Sequence, residues 1–249
     1  IAAAAMLAGC AGKSDASLAA EQKTPSIVEQ VKVGETMRLM GDASAEFADG
    51  VWRSGTAAIP TPLPVGYPAP TPPETIELKR YPLVRRAEVG SSRGEAESGR
   101  MVAFFPLFNH IKRRDIEMTA PVEMEAKAYD AAAGVASAKS EGDEAWAMSF
   151  LYREVEQGAT GPDEQDKRVR VVDTPETVVA SRGFQGNYSD ARIERELTAL
   201  AEWIAQDGRM EPAGRARVLM YNGGPGDDPR KYWSEVQLPV RARGERPAE

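Results

Sequence analysis

Apolar and charged residues alternate along two short stretches of the chain, at residues 75–81 and 168–173. This period of two is typical of a strand that buries one face. Each stretch is closed by a proline, Pro82 or Pro175, and a second apolar stretch follows it. Further strands are predicted at 146–155, 217–221 and 233–238.

A third kind of pattern, with apolar residues three and four positions apart, predicts a helix near residues 100–111. Its apolar positions are Met101, Phe104, Phe105, Phe108 and Ile111. Pro106 lies inside this pattern, and we expect a kink or a helix restart there because proline lacks a backbone N–H donor.

A second helix is predicted near residues 190–206. Ser189 or Asp190 can cap its beginning, and Gly208 is expected to end it. One apolar stripe runs along it, formed by Ile193, Leu197, Leu200, Ala201 and Ile204.

The same order of elements occurs twice: strand, proline, strand, helix and closing strands. One copy alone would leave an apolar sheet face exposed, so the two copies are expected to pack together. We therefore predict an α+β fold over residues 74–241, in which two similar halves, each with a flanking helix, close a twisted sheet or a barrel with the helices outside. A cleft between two halves is a common place for a small ligand.

The segments around this domain differ in composition. Residues 60–73 contain seven prolines, which predicts an extended spacer, with a loop packed on the domain as the alternative. Residues 11–73 are accordingly predicted to be a tether that ends in this spacer, although 24–59 give no firm prediction. Residues 242–249 are predicted to be a tail.

The first ten residues are small and apolar up to the single cysteine, Cys10. They are too few to span a bilayer and are typical of the end of a secretory signal. The run Leu-Ala-Gly-Cys at 7–10 resembles the lipobox of bacterial lipoproteins. This resemblance implies that Cys10 carries lipid and holds the protein at the membrane of a bacterial cell envelope, with the domain facing the periplasm or the exterior. An alanine-rich start with an incidental cysteine is the alternative.

Composition excludes several function classes. The 249 residues carry a formal net charge of −7 and the pI is about 5.1, so no nucleic-acid partner is predicted. One cysteine excludes a disulfide within the sequence, and one histidine excludes paired-histidine metal sites. The same scarcity leaves few polarised nucleophiles, and we predict that the protein is not an enzyme.

Four segments, in order, carry a family resemblance. The run Met-Thr-Ala-Pro-Val at 118–122 follows the aromatic helix and resembles a motif of the SOUL haem-binding family. Residues 76–82, 182–186 and 233–236 resemble other segments of that family. The resemblance implies a twisted, mostly antiparallel β-barrel of two similar halves, each with a flanking helix. It also implies non-covalent binding of haem or a related tetrapyrrole in an apolar groove. It does not imply catalysis. Family members often have a longer Gly/Asn-rich loop before the Met-Thr-Ala-Pro-Val run, where this chain has the short basic run 112–114.

Haem requires an apolar slot, cations for its two propionates and, optionally, an axial base. With the resemblance, these needs select the residues His110, Met101, Phe104, Phe108, Lys112, Arg113, Arg114 and Met118 as the candidate site. His110 is the possible axial ligand of the iron, and the basic run could pair with the propionates. Each has a plainer alternative: the methionines and phenylalanines as core residues, the cations as a solvated surface, and the histidine without a ligand.

The function expected on this basis is haem or tetrapyrrole binding for storage, buffering or trafficking by an exported, lipid-anchored protein. The alternative is a binding module for another amphipathic small molecule, because the predicted duplicated fold also resembles bacterial effector-binding domains.

Overall fold

The computed structural model describes residues 25–92, 98–126, 129–130, 135–136, 144–223 and 226–245. The predicted lipid site Cys10 lies outside these residues. The helices of the described part are α1 (Ile27–Gln30), α2 (Ser98–Arg113), α3 (Asp190–Asp207) and a short 3-10 helix (Pro229–Lys231). None of the helices in this part of the chain is long and apolar enough to cross a membrane.

The strands of the described part are β1 (Thr36–Met40), β2 (Glu46–Ala48), β3 (Val51–Ser54), β4 (Ala57–Ile59), β5 (Ile76–Tyr81), β6 (Val84–Ser92), β7 (Val122–Ala126), β8 (Tyr129–Asp130), β9 (Val135–Ala136), β10 (Glu144–Leu151), β11 (Gly161–Pro162), β12 (Arg170–Thr174), β13 (Thr177–Gln185), β14 (Met210–Pro212), β15 (Ala216–Met220) and β16 (Trp233–Ala242). Strands β2–β4 form a small separate sheet, and β8 pairs with β9.

The main sheet is antiparallel and has the strand order β1-β5-β13-β16-β15-β7-β10-β6-β12-β11, with β14 paired to β16. No pairing among the described strands joins β1 to β11, so the sheet is open and the predicted closed barrel is not confirmed. The α+β class and the antiparallel pairing are as predicted.

The strand order follows the predicted repeat. Exchanging β5, β6, β7 and β10 of the first half with β12, β13, β15 and β16 of the second half reverses the central order and leaves it unchanged. The halves pair at three places: β7 with β15 at the centre, β5 with β13, and β6 with β12. The helix α2 packs on β6 and β10, and α3 packs on β13 and β16, so the two helices occupy equivalent places.

Both helices cover the same, apolar face of the sheet, and this layer forms the larger core. The helix α3 contributes the buried side chains Leu197, Leu200 and Ile204. Ser189 caps its beginning, because the Ser189 hydroxyl accepts a hydrogen bond from the N–H of Arg192, and Gly208 ends it at φ 72°. The helix α2 buries Leu107 and Ile111 and runs through Pro106 as one helix, so of the two predicted outcomes, a kink or a restart, the restart does not occur.

The other face of the sheet is covered by residues 60–73, which we call the strap. Tyr67 and Thr71 of the strap are buried, and the backbone N–H of Ala120 donates to the carbonyl of Pro62 (2.9 Å). The strap therefore packs on the domain, and its prediction as a free spacer is wrong.

The segment before the strap is also part of the fold, where the sequence had predicted a tether. Ile27, Val28 and Val31 join the main core, and β1 pairs with β5 at one edge of the main sheet. The folded unit thus includes the described residues from 25 onward and does not start at residue 74.

Candidate functional site

The outer face of α2 is apolar and exposed. Val102 and Phe105 are each 55% exposed, and Phe108 is 39% exposed. These residues are three apart and so lie on one face of the helix. Phe104 is half-buried beside them, stacked on Phe108 with ring centroids 6.0 Å apart and edge-on to Phe150 at 5.1 Å.

The equivalent helix α3 presents a different outer face. Its exposed side chains include Glu194, Arg195, Glu202 and Gln206. Because α2 and α3 hold equivalent places against the sheet, the fold itself does not require exposed aromatic rings on the outside of a helix. The phenylalanines of α2 therefore need an explanation outside the folding of the domain.

Two of the predicted cations, Lys112 and Arg113, lie in the last turn of α2, where the helix dipole favours positive charge, and Arg114 follows directly. Arg113 and Arg114 both reach Asp163, with N–O distances of 3.0 Å and 3.4 Å. Lys112 is exposed and follows Phe108 by four positions, which places both on the same face of the helix.

His110 is fully buried, and both of its ring nitrogens have partners. Its Nδ1 lies 2.6 Å from Oδ2 of Asp163, and its Nε2 lies 2.6 Å from the hydroxyl of Tyr152. Since a carboxylate only accepts, this network assigns the proton to Nδ1 and lets Tyr152 donate to Nε2. Iron coordination would require His110 to give up one of these bonds. The structure therefore gives His110 a structural role, which differs from the predicted axial ligand.

The protonation states in this triad follow from burial and hydrogen bonds. Burial lowers the pKa of His110, and this effect outweighs the neighbouring carboxylate of Asp163. Burial acts to raise the pKa of Asp163, but N–H donors of Asp166 and Gln165, together with His110, hold it below its usual range. Burial raises the pKa of Tyr152 to about 12. At neutral pH the triad thus contains a neutral imidazole, a carboxylate and a protonated phenol.

The remaining predicted residues lie elsewhere. Met118 is partly buried against the main core, which agrees with the plainer alternative. Met101 lies in α2, but its side chain is outside the described part. In the Met-Thr-Ala-Pro-Val run, the hydroxyl of Thr119 donates to the carbonyl of Leu151 at 2.6 Å, which fixes the run against β10.

A buried charged cluster beneath the strap was not predicted. Glu235, fully buried, accepts hydrogen bonds from Lys79 (3.0 Å), Tyr221 (2.7 Å), Ser181 (2.6 Å) and Gln237 (2.7 Å). We call these five residues the polar cluster. Burial acts to raise the pKa of Glu235, but Lys79 and the hydrogen bonds outweigh it and hold the pKa below its usual value.

Among the described side chains, the candidate groups are aromatic rings and a cation, not a cluster of metal ligands. No group of three or more His, Cys, Asp or Glu side chains in the described residues could hold a metal. The outer face of α2 instead offers exposed aromatic rings, Phe105 and Phe108, and an ammonium group, Lys112. These match the apolar plane of a porphyrin and one of its propionates, without an axial base.

An open antiparallel sheet of two equivalent halves, with one helix from each half on the same face, defines a duplicated α+β protein. The sequence profile of the SOUL haem-binding protein family matches residues 67–238, most of the chain. The chain belongs to the SOUL haem-binding protein family. No curated protein matches the sequence.

Solved structures show likeness at low identity. EcmrR, in its complex with DNA, has a TM-score of 0.50 and 13% identity. The match covers 66% of this chain and 56% of EcmrR, so the chain spans only about half the length of that protein. An uncharacterized conserved protein from Listeria innocua has a TM-score of 0.48 and 14% identity, over 69% of this chain and 94% of that protein. A protein solved bound to tetraphenylphosphonium has a TM-score of 0.38 and 9% identity, over 67% of this chain and 93% of that protein. At 13% identity, the likeness to EcmrR shows a shared fold.

Proposed function

We propose that the protein binds haem or a related tetrapyrrole non-covalently on the outer face of α2. One observation carries the proposal: Phe105 and Phe108 are exposed side by side on a helix whose equivalent in the other half is polar. A bound haem supplies a flat apolar plane with two carboxylates at one edge. The two rings can lie against that plane while Lys112 pairs with a propionate.

Hemin added to the full chain is expected to give a saturable change in Soret absorbance. Replacing both exposed rings, by Phe105→Ser with Phe108→Ser, should weaken binding at least tenfold. An aromatic contact contributes about 0.5–1.5 kcal/mol beyond its buried area, and about 1.4 kcal/mol is a factor of ten. The matched control is Phe47→Ser, because Phe47 is 59% exposed on the separate sheet and its loss should leave hemin affinity unchanged.

Iron-free protoporphyrin IX separates surface binding from coordination. Because both nitrogens of His110 already have hydrogen-bond partners, protoporphyrin IX is expected to bind with an affinity within threefold of that of hemin. Affinity that survives the loss of both rings would overturn the site on α2. Binding that depends wholly on iron would show instead that His110 or another base leaves its hydrogen bonds to coordinate the metal.

The second candidate is another amphipathic small molecule at the same face. The engaged nitrogens of His110 favour it, since a site without an axial base does not select for iron. Displacement of hemin by an amphipathic competitor that lacks a porphyrin plane, at similar concentration, would support this candidate over haem.

We further propose that lipid on Cys10 holds the protein at the bacterial cell envelope, where tetrapyrrole would be stored, buffered or passed on. The support is the Leu-Ala-Gly-Cys run at 7–10, and several acyl chains anchor a protein stably because each buried methylene contributes about 0.8 kcal/mol. Protein expressed with its native leader in a bacterial host should partition into detergent, and Cys10→Ser should move it to the aqueous phase. Equal partition of the two proteins would contradict the anchor.

A further inference from the structure

The sheet face beneath the strap is built differently from the face beneath the helices. The helix side buries the larger apolar core, whereas the strap side buries Lys79 and Glu235 beside a smaller apolar cluster, and both charged side chains are fully inaccessible. Charges buried as a pair are often replaceable by apolar residues at no loss of stability. A segment that served only as a lid over a core would therefore need no such groups. Their arrangement toward the strap points to recognition.

The side chains of the sheet bind the main chain of the strap at alternate residues. The ammonium of Lys79 donates to the carbonyl of Ala69 at 2.6 Å. The N–H of Thr71 donates to Glu235 at 2.6 Å, and the indole of Trp233 donates to the carbonyl of Thr71 at 2.7 Å. These hydrogen bonds are made to backbone groups, which any extended peptide presents.

Two contacts add selectivity for the residue at position 71 and for its neighbours. The hydroxyl of Thr71 bonds to Ser181 at 3.0 Å. The main chain lies so close to Gly183 that a Cβ there would stand 2.3 Å from the carbonyl oxygens of Thr71 and Pro72. A glycine at this point is therefore required for the strap to seat.

The strap itself has the composition of a peptide ligand. Its segment 68–73 reads Pro-Ala-Pro-Thr-Pro-Pro, so Ala69 and Thr71 are its only backbone donors. Prolines hold an extended backbone that loses little entropy on binding, and domains that bind such peptides use aromatic grooves with a few polar anchors. Here the aromatic partners are Tyr81, which packs edge-on to Tyr67 at 4.7 Å, and Trp233.

We propose that the polar cluster and Trp233 form a peptide-binding groove that the strap occupies in cis. The partner that this groove fits is an extended Pro-x-Pro-Thr segment of another protein, which would bind by replacing the strap. Its backbone would be hydrogen-bonded by Lys79, Glu235 and Trp233, and its threonine hydroxyl by Ser181. This inference does not depend on tetrapyrrole binding, because the groove lies on the opposite face of the sheet from α2.

A labelled peptide with the sequence of residues 64–75 tests the groove in the full chain by fluorescence anisotropy. In the host chain, Thr71→Pro removes the N–H that donates to Glu235 and so weakens the strap. The peptide is expected to bind this variant at least tenfold more tightly than it binds the unmodified chain. The matched control is a peptide that itself carries Thr71→Pro, which should bind at least tenfold more weakly. Equal binding of the two peptides, or no binding to a folded variant, would overturn the proposal.

Hydrogen exchange on the unmodified chain tests the same idea without a variant. If the strap exchanges with an outside peptide, it must open while the sheet stays folded. The N–H of Thr71 is then expected to exchange at least tenfold faster than the N–H groups of β13 that pair with β16. Exchange of Thr71 at the same rate as these strand amides would show that the strap opens only on global unfolding, which would overturn the groove as an exchangeable site.

Discussion

Replacing Lys79 with methionine is expected to lower the free energy of unfolding by about 3–5 kcal/mol, because removal of one partner leaves the other charge buried and unpaired. Lys79 and Glu235 are both fully buried, and the ammonium lies 3.0 Å from the carboxylate. Lys79→Met keeps most of the aliphatic stem, so the loss measures the charge more than the packing. Urea unfolding followed by circular dichroism gives the change directly.

The control for Lys79 is an exposed ion pair. Arg209 and Asp207 are 2.6 Å apart, but the side chain of Arg209 is 57% exposed. Arg209→Met should cost less than about 1 kcal/mol. Adding Glu235→Gln to Lys79→Met should recover part of the loss, since the orphaned charge is removed. A cost for Lys79→Met no larger than that for Arg209→Met would refute the charged pair as an organising element of the strap side.

His110→Ala is expected to cost about 3 kcal/mol, from the cavity left by the ring and the two partners left without it. Asp163 and Tyr152 would both lose a hydrogen bond of 2.6 Å. Tyr152→Phe removes only one of these bonds and should cost about 1 kcal/mol. Denaturation of the two variants measures the difference, and similar costs would mean that the imidazole does not join the two residues.

The pH dependence of stability gives a second readout for His110. Its pKa is lowered in the folded state from the ordinary value of 6.5, so the unfolded chain takes up this proton first as pH falls. The unfolded state then binds more protons, and stability is expected to decrease as pH drops below about 6.5. The sequence has one histidine, so His110→Asn should remove this part of the dependence. A slope that persists in the variant would assign it to other groups.

A lower pH window belongs to Asp163. Its pKa is depressed in the folded state, so the stability it contributes is present above the ordinary value of 3.8 and is lost as pH falls through the folded pKa. As pH falls, the His110 window is entered near 6.5 and the Asp163 window near 3.8, so the loss of stability is expected to begin with the histidine.

Local patterns were sufficient for the frame of the domain. The stripe that contains Leu197, Leu200 and Ile204 predicted α3, and its cap and terminating glycine were read correctly because both signals lie within a few residues of the helix. The proline breaks after β5 and β12 showed the repeat for the same reason. Closure of the sheet depends on contacts between its distant edges, which local patterns do not report, and the predicted barrel is not confirmed.

The strap side could not be predicted from alternation. Charged residues at Glu77 and Lys79 read as the solvent side of a half-buried strand, yet they are only 5% and 0% exposed. The cover comes from a proline-rich segment, which is typical of a linker when taken by itself. No local signal in 60–73 distinguishes proline that extends a free tether from proline that packs on a sheet.

The candidate site was predicted in part. Helical spacing located the aromatic residues of α2, but it did not tell the half-buried Phe104 from the exposed Phe105. The role of His110 depends on Tyr152 and Asp163, which are 42 and 53 residues away in sequence. Partners at that separation are brought together only by the tertiary fold. From the sequence alone, a single histidine beside aromatic residues was therefore interpreted as a side chain free to bind iron.

Duplication has a consequence for how such a protein can change. The sheet is held by the inward faces of α2 and α3, and each half supplies one of these faces. The outward faces are under no common constraint, so one copy can acquire new chemistry while its twin preserves the architecture. A comparison of the outward faces of the two helices within one molecule therefore shows which half carries residues that the fold does not require.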